Sequence, residues 1–425
     1  MIKIRDLAIA GLIAQAGLLV IAGLALLTLV RDGAWAVEPL VPGLIFAALL
    51  LSAQVVIWVS GCGAEDLLLP VVGVLTGLGL LIAYRLGGQD LGDRQLIWTV
   101  MGIVITVGIC VFLKDVTQLR RHKYSWAVLG LFLVALTFAL GRDPNGSGAR
   151  LWLGIGPLQF QPSEFLKIML VIFFAGYLEE NREIMARGRI SIGFLKLPPL
   201  AHVLPLAVMW LLSMLVLLVQ RDFGAALLFF GVFLAMLYVA TARLSYLLAG
   251  SVAFLAGAIA AYRWVSVVQL RMEAWLDPWS QASGHGYQTI QGLISMASGG
   301  ILGNGLGMGR PDFVPASFTD LVLAALGEEF GLLGTMAVLI AYLFLVHRGY
   351  RIALGASRPF DRLLATGLTT VLAVQSMIIM GGTLRLLPLT GIALPFLTYG
   401  GSSLVTNFAI VGLLLRIAAR GADRA

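Results

Sequence analysis

The chain has 425 residues, of which 59% are hydrophobic and only 12% charged, with a formal net charge of +7 and a mean hydropathy of +0.95. Soluble domains carry about 25% charged residues, so an ordinary water-soluble fold is excluded and an all-α polytopic membrane protein is expected. The positive balance does not point to nucleic acid, because the Lys and Arg residues sit in short connections between apolar runs rather than in a helical stripe.

Leu7 to Val30 carries no charge. It exceeds the apolar region of a signal peptide, about 7–15 residues, and reads as an uncleaved first span. Further spans are predicted near 41–60, 67–84, 96–113, 125–141, 165–178, 201–219, 224–241, 244–264, 322–346, 363–381 and 403–416, within an expected total of about 10–12 transmembrane helices. With the N-terminus inside, the cytoplasmic segments hold 18 Lys and Arg residues and the outer segments 10. That bias places both termini in the cytoplasm. Three long connections, 142–164, 265–321 and 382–402, then lie outside, and they are the richest in Gly, Pro and polar residues. No repeat of fixed period and no inverted pair of halves is present, which counts against a repeat-built transporter. Cys62 and Cys110 imply neither a disulfide framework nor a thiolate metal site.

The first outer segment ends in "GARLWLGIGPLQFQPSEFLKI". Pro162 and Ser163 mark a helix start, with Glu164 near the positive end of the helix dipole. Lys167 lies on the same face, at a depth where an ionisable group must be paired or line a cavity. It reads either as the partner of Glu164 or as a substrate-facing cation. Trp152 suits anchoring at the interface and packing on a substrate ring equally. In "VQRDFGAALLFF", Arg221 and Asp222 either line a polar cavity or close a turn with each other.

The 265–321 connection offers Glu273, Trp275, Asp277, Trp279, His285 and Tyr287 in its first part. Its middle, Gly299 to Gly309, lacks a following Gly-Lys-Ser/Thr and is no nucleotide-binding loop. His285 has no second His or Cys beside it, so no metal site is expected. Asp320, Glu328 and Glu329 stand at the start of a membrane helix. In "MGGTLRLLPLTGIALPFLTYGGSSLV", Pro388, Pro395, Gly400 and Gly401 interrupt an apolar run as in a re-entrant piece. Arg385 within it is either an anion contact or an arginine reaching for headgroups.

These segments, with "LDPWSQASGHGYQTIQGLISMASGGILGNGLGMG" and "VPASFTDLVLAALGEEFGLLG", occur in the order found in the SEDS family (RodA, FtsW and SpoVE), which the last two-thirds of the chain resembles. The wording is nearer to RodA-type members. The resemblance implies a glycosyltransferase of the bacterial cytoplasmic membrane that polymerises lipid II into peptidoglycan glycan strands on the outer face. It also implies a bundle of about ten helices, a class B penicillin-binding protein as partner, and room for a divalent cation, magnesium or manganese. The chain departs from the family by two additional N-terminal spans, so residues 1–84 are read as an addition and 85–425 as the core.

A second departure concerns chemistry. Many members carry an aspartate four positions after the first Asp/Asn-Pro of the long outer loop, and this chain has Gln281, followed by Ala282. Glutamine is no general base. Asp277 is therefore the expected proton acceptor, with Asp320 the other candidate. The resemblance carries substrate binding to Arg150, Trp152, Glu164, Lys167, Arg221, Asp222, Gln288, Asp320, Glu328, Arg385 and Ser402. Two other readings remain open: a lipid II flippase, and a scaffold that activates a partner transpeptidase without catalysis of its own.

Overall fold

The computed structural model describes residues 4–33, 36–65, 67–143, 150–155, 158–187, 190–192, 195–197 and 200–422. The first half of the chain supplies helices α1 (Ile4–Asp32), α2 (Val41–Val59), α3 (Leu68–Phe112), α4 (Thr117–Arg121), α5 (Lys123–Leu140) and α6 (Pro162–Arg187). The second half supplies α7 (Leu200–Val219), α8 (Phe223–Thr241), α9 (Leu244–Trp264), α10 (Ser266–Leu276), α11 (Tyr287–Ser298), α12 (Val322–Gly355), α13 (Pro359–Thr383) and α14 (Gly401–Ala422). Two short antiparallel hairpins complete the described elements, β1 (Leu153–Ile155) with β2 (Leu158–Phe160), and β3 (Ile190–Ile192) with β4 (Leu195–Leu197). Ten helices among the described residues are long and apolar enough to cross a membrane. Helix is what hydrocarbon demands, since each backbone N–H and C=O must find its partner within the segment. The chain is an all-α polytopic membrane protein; eleven of the twelve predicted spans fall on these ten helices, two of them on α3, while the span near 165–178 falls on α6, which carries too many charges to be among the ten.

Two of those spans, 67–84 and 96–113, are halves of α3, which breaks at Gly88 (φ 65, ψ −160). Tyr84 donates its hydroxyl to Asp93 across the break at 2.6 Å. Helix α12 breaks at Gly331 (φ 67, ψ −165), a left-handed value that side chains with a Cβ resist. The backbone groups released there are taken up by the glycine-rich run before it. Leu332 and Leu333 donate to the carbonyls of Gly300 and Ile301 at 2.9 and 3.1 Å, and Asn304 and Gly305 donate to those of Glu328 and Glu329 at 3.0 and 2.9 Å. Glycine is required because a Cβ at Gly303 would meet the Gly331 nitrogen at 2.6 Å. The run is thus a backbone splice for an interrupted membrane helix.

The 265–321 connection, expected as loop, contains α10 and α11. In α11 the residues turned inward are Thr289, Ile290, Gly292 and Ser295. They are mostly small or polar.

The chain divides into two compact units. The first comprises residues 1–114, 269–348 and 375–422. Its core lies where α14 packs along α3 and where α1 meets α2 and α3. Fully buried Phe396 and Phe408 stand edge to face there, 5.5 Å apart. The second comprises 115–268 and 349–374, with α5, α6, α7 and α8 packed together and α9 laid on α8. Tyr246 is the one buried residue of α9, a surface suited to lipid.

Candidate active site

Each unit carries its own polar cluster. In the second, Arg142 and Trp152 form an isolated bridge, the Arg142 N–H reaching the Trp152 carbonyl at 2.8 Å, and the β1–β2 hairpin then delivers the chain to α6. Residues 144–149 of this segment lie outside those described. Arg150 is exposed and Trp152 half-buried.

Asp222 organises the next part. It caps α8 by accepting the Ala225 N–H at 3.0 Å, and it also accepts from the Gln161 amide at 3.2 Å and the Ser163 hydroxyl at 3.4 Å. The turn it ends is tight enough to force Arg221 to φ 61. Of the two readings of "RD", the mutual pair is not what forms: Arg221 is exposed and makes no ion pair among the described residues. For Lys167 the paired arrangement is the one seen, its ammonium 2.5 Å from Glu164 Oε2. Lys167 is only 2% exposed and Glu164 8%. Desolvated ions of opposite sign hold each other there.

In the first unit, Arg385 grips the end of α10. Its Nε donates to the Trp275 carbonyl at 2.9 Å and its Nη2 to the Leu276 carbonyl at 2.7 Å. Asp277 follows directly and is exposed, accepting the Ser280 N–H at 3.4 Å. Gln281 is half-buried and donates its amide to Glu273 Oε2 at 3.3 Å. Gln288 is half-buried in the first turn of α11. Ser402 is 2% exposed in the first turn of α14, where its carbonyl accepts the Thr406 hydroxyl at 2.7 Å.

Asp320 is the other candidate base, in the same unit. It sits at the mouth of α12, half-buried, opposite Gly391. Burial pushes its carboxyl up to about 6, partly offset by the nearby Arg271 guanidinium. Arg271 is itself held by the Thr390 carbonyl at 3.2 Å, while the Thr390 hydroxyl is buried without a partner. Asp320, Arg271 and Thr390 therefore form a polar cluster in which the Thr390 hydroxyl has no partner among the described residues.

Glu328 faces inward. Its two oxygens accept the Arg310 N–H and the Ser295 hydroxyl, each at 2.6 Å. Glu329 is bound by Arg85 at 2.7 Å, and Arg85 also donates to the Gly309 carbonyl at 2.9 Å. Both acids thus brace the glycine-rich segment. Sequence reasoning had passed over Arg85 and Arg271. The signal was there for Arg85, since two acids heading a membrane helix demand a buried cation. Among the described residues no three His, Cys, Asp or Glu side chains converge on one point.

The cell cycle protein family FtsW/RodA/SpoVE matches residues 66–422. A Mycobacterium tuberculosis relative named peptidoglycan glycosyltransferase RodA is 39% identical over 392 residues, covering 90% of this chain and 83% of its own. A Geobacter metallireducens relative named probable peptidoglycan glycosyltransferase FtsW is 35% identical over 329 residues, covering 77% of this chain and 84% of its own. Among solved structures, one chain of a peptidoglycan synthase complex superposes with a TM-score of 0.69 at 27% identity, over 83% of this chain and 97% of that one. The rod shape determining protein RodA of Thermus thermophilus superposes with a TM-score of 0.59 at 27% identity, over 83% and 95%.

Proposed function

The chain belongs to the FtsW/RodA/SpoVE family of cell cycle proteins, and from that membership we propose that it is a peptidoglycan glycosyltransferase polymerising lipid II. The observation that carries this reading is the 39% identity over 90% of the chain to a relative bearing that activity in its name. The reading places the protein in the bacterial cytoplasmic membrane with both termini inside, supported by the distribution of Lys and Arg. A class B penicillin-binding protein is the proposed partner, supported by the likeness to a chain of a peptidoglycan synthase complex.

In the proposed reaction, a hydroxyl oxygen of one lipid-linked sugar forms a bond to the anomeric carbon of another. The bond from that carbon to the lipid pyrophosphate breaks, and the hydroxyl proton passes to a carboxylate. A base works best when its pKa lies near the working pH. Asp320, withdrawn and held at about 6, suits that role better than the exposed Asp277, which stays the second candidate. The departing pyrophosphate needs cations whose donors are not already engaged. Arg150 and Arg221, both exposed, meet that condition. Lys167 and Arg385 are held by Glu164 and by two carbonyls, and act in this reading as positioning groups.

One observation favours a second reading. Gln281 stands where the family resemblance expects an acid, and its amide is engaged with Glu273. A scaffold that activates a transpeptidase would tolerate that exchange. Purified protein, with and without its partner, given labelled lipid II separates the readings. Polymer that disappears in Asp320→Asn or Asp277→Asn supports the enzyme. Lipid II crossing the bilayer without polymer supports a flippase, and neither product supports the scaffold.

A further inference from the structure

The first unit contains a cavity of about 300 Å³ that belongs to neither polar cluster. Its floor is Leu24, Leu27 and Tyr84, all buried, and its rim includes Arg31, Glu38 and Gln89, all exposed. Arg31 is fixed on one edge, its Nη2 donating to the carbonyls of Arg85 at 2.5 Å and Tyr84 at 3.4 Å. Its Nε and Nη1 donors are not engaged among the described residues. The Glu38 carboxylate forms no ion pair or hydrogen bond among the described residues.

The level of the cavity matters. Arg31 follows the apolar run of α1 directly, and Glu38 stands just ahead of that of α2. Both charges therefore lie where hydrocarbon gives way to headgroups, with an apolar wall beneath them. The family match begins only at residue 66, so α1 and α2 bring to this site residues outside it.

We propose that this cavity binds a zwitterionic aminophospholipid such as phosphatidylethanolamine, its phosphate on Arg31, its ammonium on Glu38 and the upper part of one acyl chain on Leu24 and Leu27. Charge complementarity selects this ligand. An anionic headgroup would meet the Glu38 carboxylate, and a choline headgroup has no N–H to give it. A soluble zwitterion would satisfy the rim and leave the leucine floor wet.

The test is retention of lipid by the purified full chain, read by native mass spectrometry after incubation with equal phosphatidylethanolamine, phosphatidylglycerol and phosphatidylcholine. Phosphatidylethanolamine should be retained about fivefold over each competitor, the size of one partly exposed ion pair. In Glu38→Gln that preference should fall to parity, with unchanged unfolding temperature. Equal retention of the three lipids by the unmodified protein would overturn the proposal, as would a preference that survives in Glu38→Gln. Should that variant fail to fold, the comparison of phosphatidylethanolamine with phosphatidylcholine on the unmodified protein decides alone. Displacement of the lipid by equimolar glycerophosphoethanolamine would show the leucine floor to be idle and would overturn the lipid as ligand.

Discussion

Arg385 and Trp275 bind each other reciprocally: the arginine Nε donates to the tryptophan carbonyl at 2.9 Å, and the indole Nε1 donates to the arginine carbonyl at 3.0 Å. The pair ties the segment after α13 to the end of α10 and sets where Asp277 emerges. Arg385 adopts φ 58 to do so, and its planar fork serves two carbonyls at once. Lysine cannot reproduce the fork. Arg385→Lys should therefore destabilise by about 1–3 kcal/mol and red-shift the tryptophan emission as Trp275 is released. An unchanged emission and unfolding temperature would remove the structural role and return Arg385 to anion binding.

Asp320 and Asp277 make opposite predictions. If Asp320 accepts the proton, Asp320→Asn should lower lipid II polymerisation by about 10²–10⁴, while Asp277→Asn keeps most of the activity. The measurement is polymer length and yield from labelled lipid II. The reverse pattern would move the base to Asp277.

The raised carboxyl of Asp320 also sets a pH dependence. A base must be ionised, so the rate should rise with pH through about 6. Stability runs the other way. A carboxyl held higher in the folded protein than in the unfolded chain contributes fully below the ordinary carboxylate range, and that contribution is lost as pH rises through about 6. Unfolding temperatures of the unmodified protein should thus fall between pH 4 and pH 7 relative to those of Asp320→Asn. A constant difference between the two would show that burial does not bear on this group.

Glu164 and Lys167 call for a pair of single variants and their combination. Glu164→Gln or Lys167→Met alone leaves a buried uncompensated charge and should cost about 3–5 kcal/mol. Glu164→Gln with Lys167→Met should recover most of that stability. Polymerisation measured on the double variant then reports on Lys167 directly: retained activity makes the pair structural, and lost activity in a folded protein makes it part of the site.

Gly331→Ala should be severe. Its Cβ would meet the Ile301 carbonyl oxygen at 2.5 Å, and the left-handed backbone adds about 1–2 kcal/mol on its own. Folded yield after detergent extraction checks this. Gly88→Ala, with open space around it, should show the backbone term alone.

Legibility followed chemistry. The spans were readable because hydrocarbon imposes long uncharged runs, and "QPSEF" announced the start of α6 through its proline, although Ser163, read as a capping residue, lies inside the helix and gives its hydroxyl to Asp222 instead. Asp222 stood out in the sequence as a charge between two apolar runs, but its partners Gln161 and Ser163 lie some sixty positions away in the chain and no local pattern names them. The same holds for Arg85 with Glu329, 244 residues apart. The break at Gly88 falls in the connection read between the spans 67–84 and 96–113, whereas that at Gly331 was hidden because a glycine in an apolar run reads the same whether the helix continues or turns. Gln281 was visible as a departure, whereas its engagement by Glu273 depends on how the end of α10 turns back.

The splice at Gly331 bears on how the protein is made. Residues 300–305 leave the ribosome before 328–333, and until the later residues arrive the amides of Asn304 and Gly305 and the carbonyls of Gly300 and Ile301 have only water to bond. The segment cannot be released into the bilayer ahead of α12, so lateral exit of that helix and settling of the loop before it are a single event during biogenesis. A nascent chain arrested between them would remain held at the aqueous side of the insertion machinery.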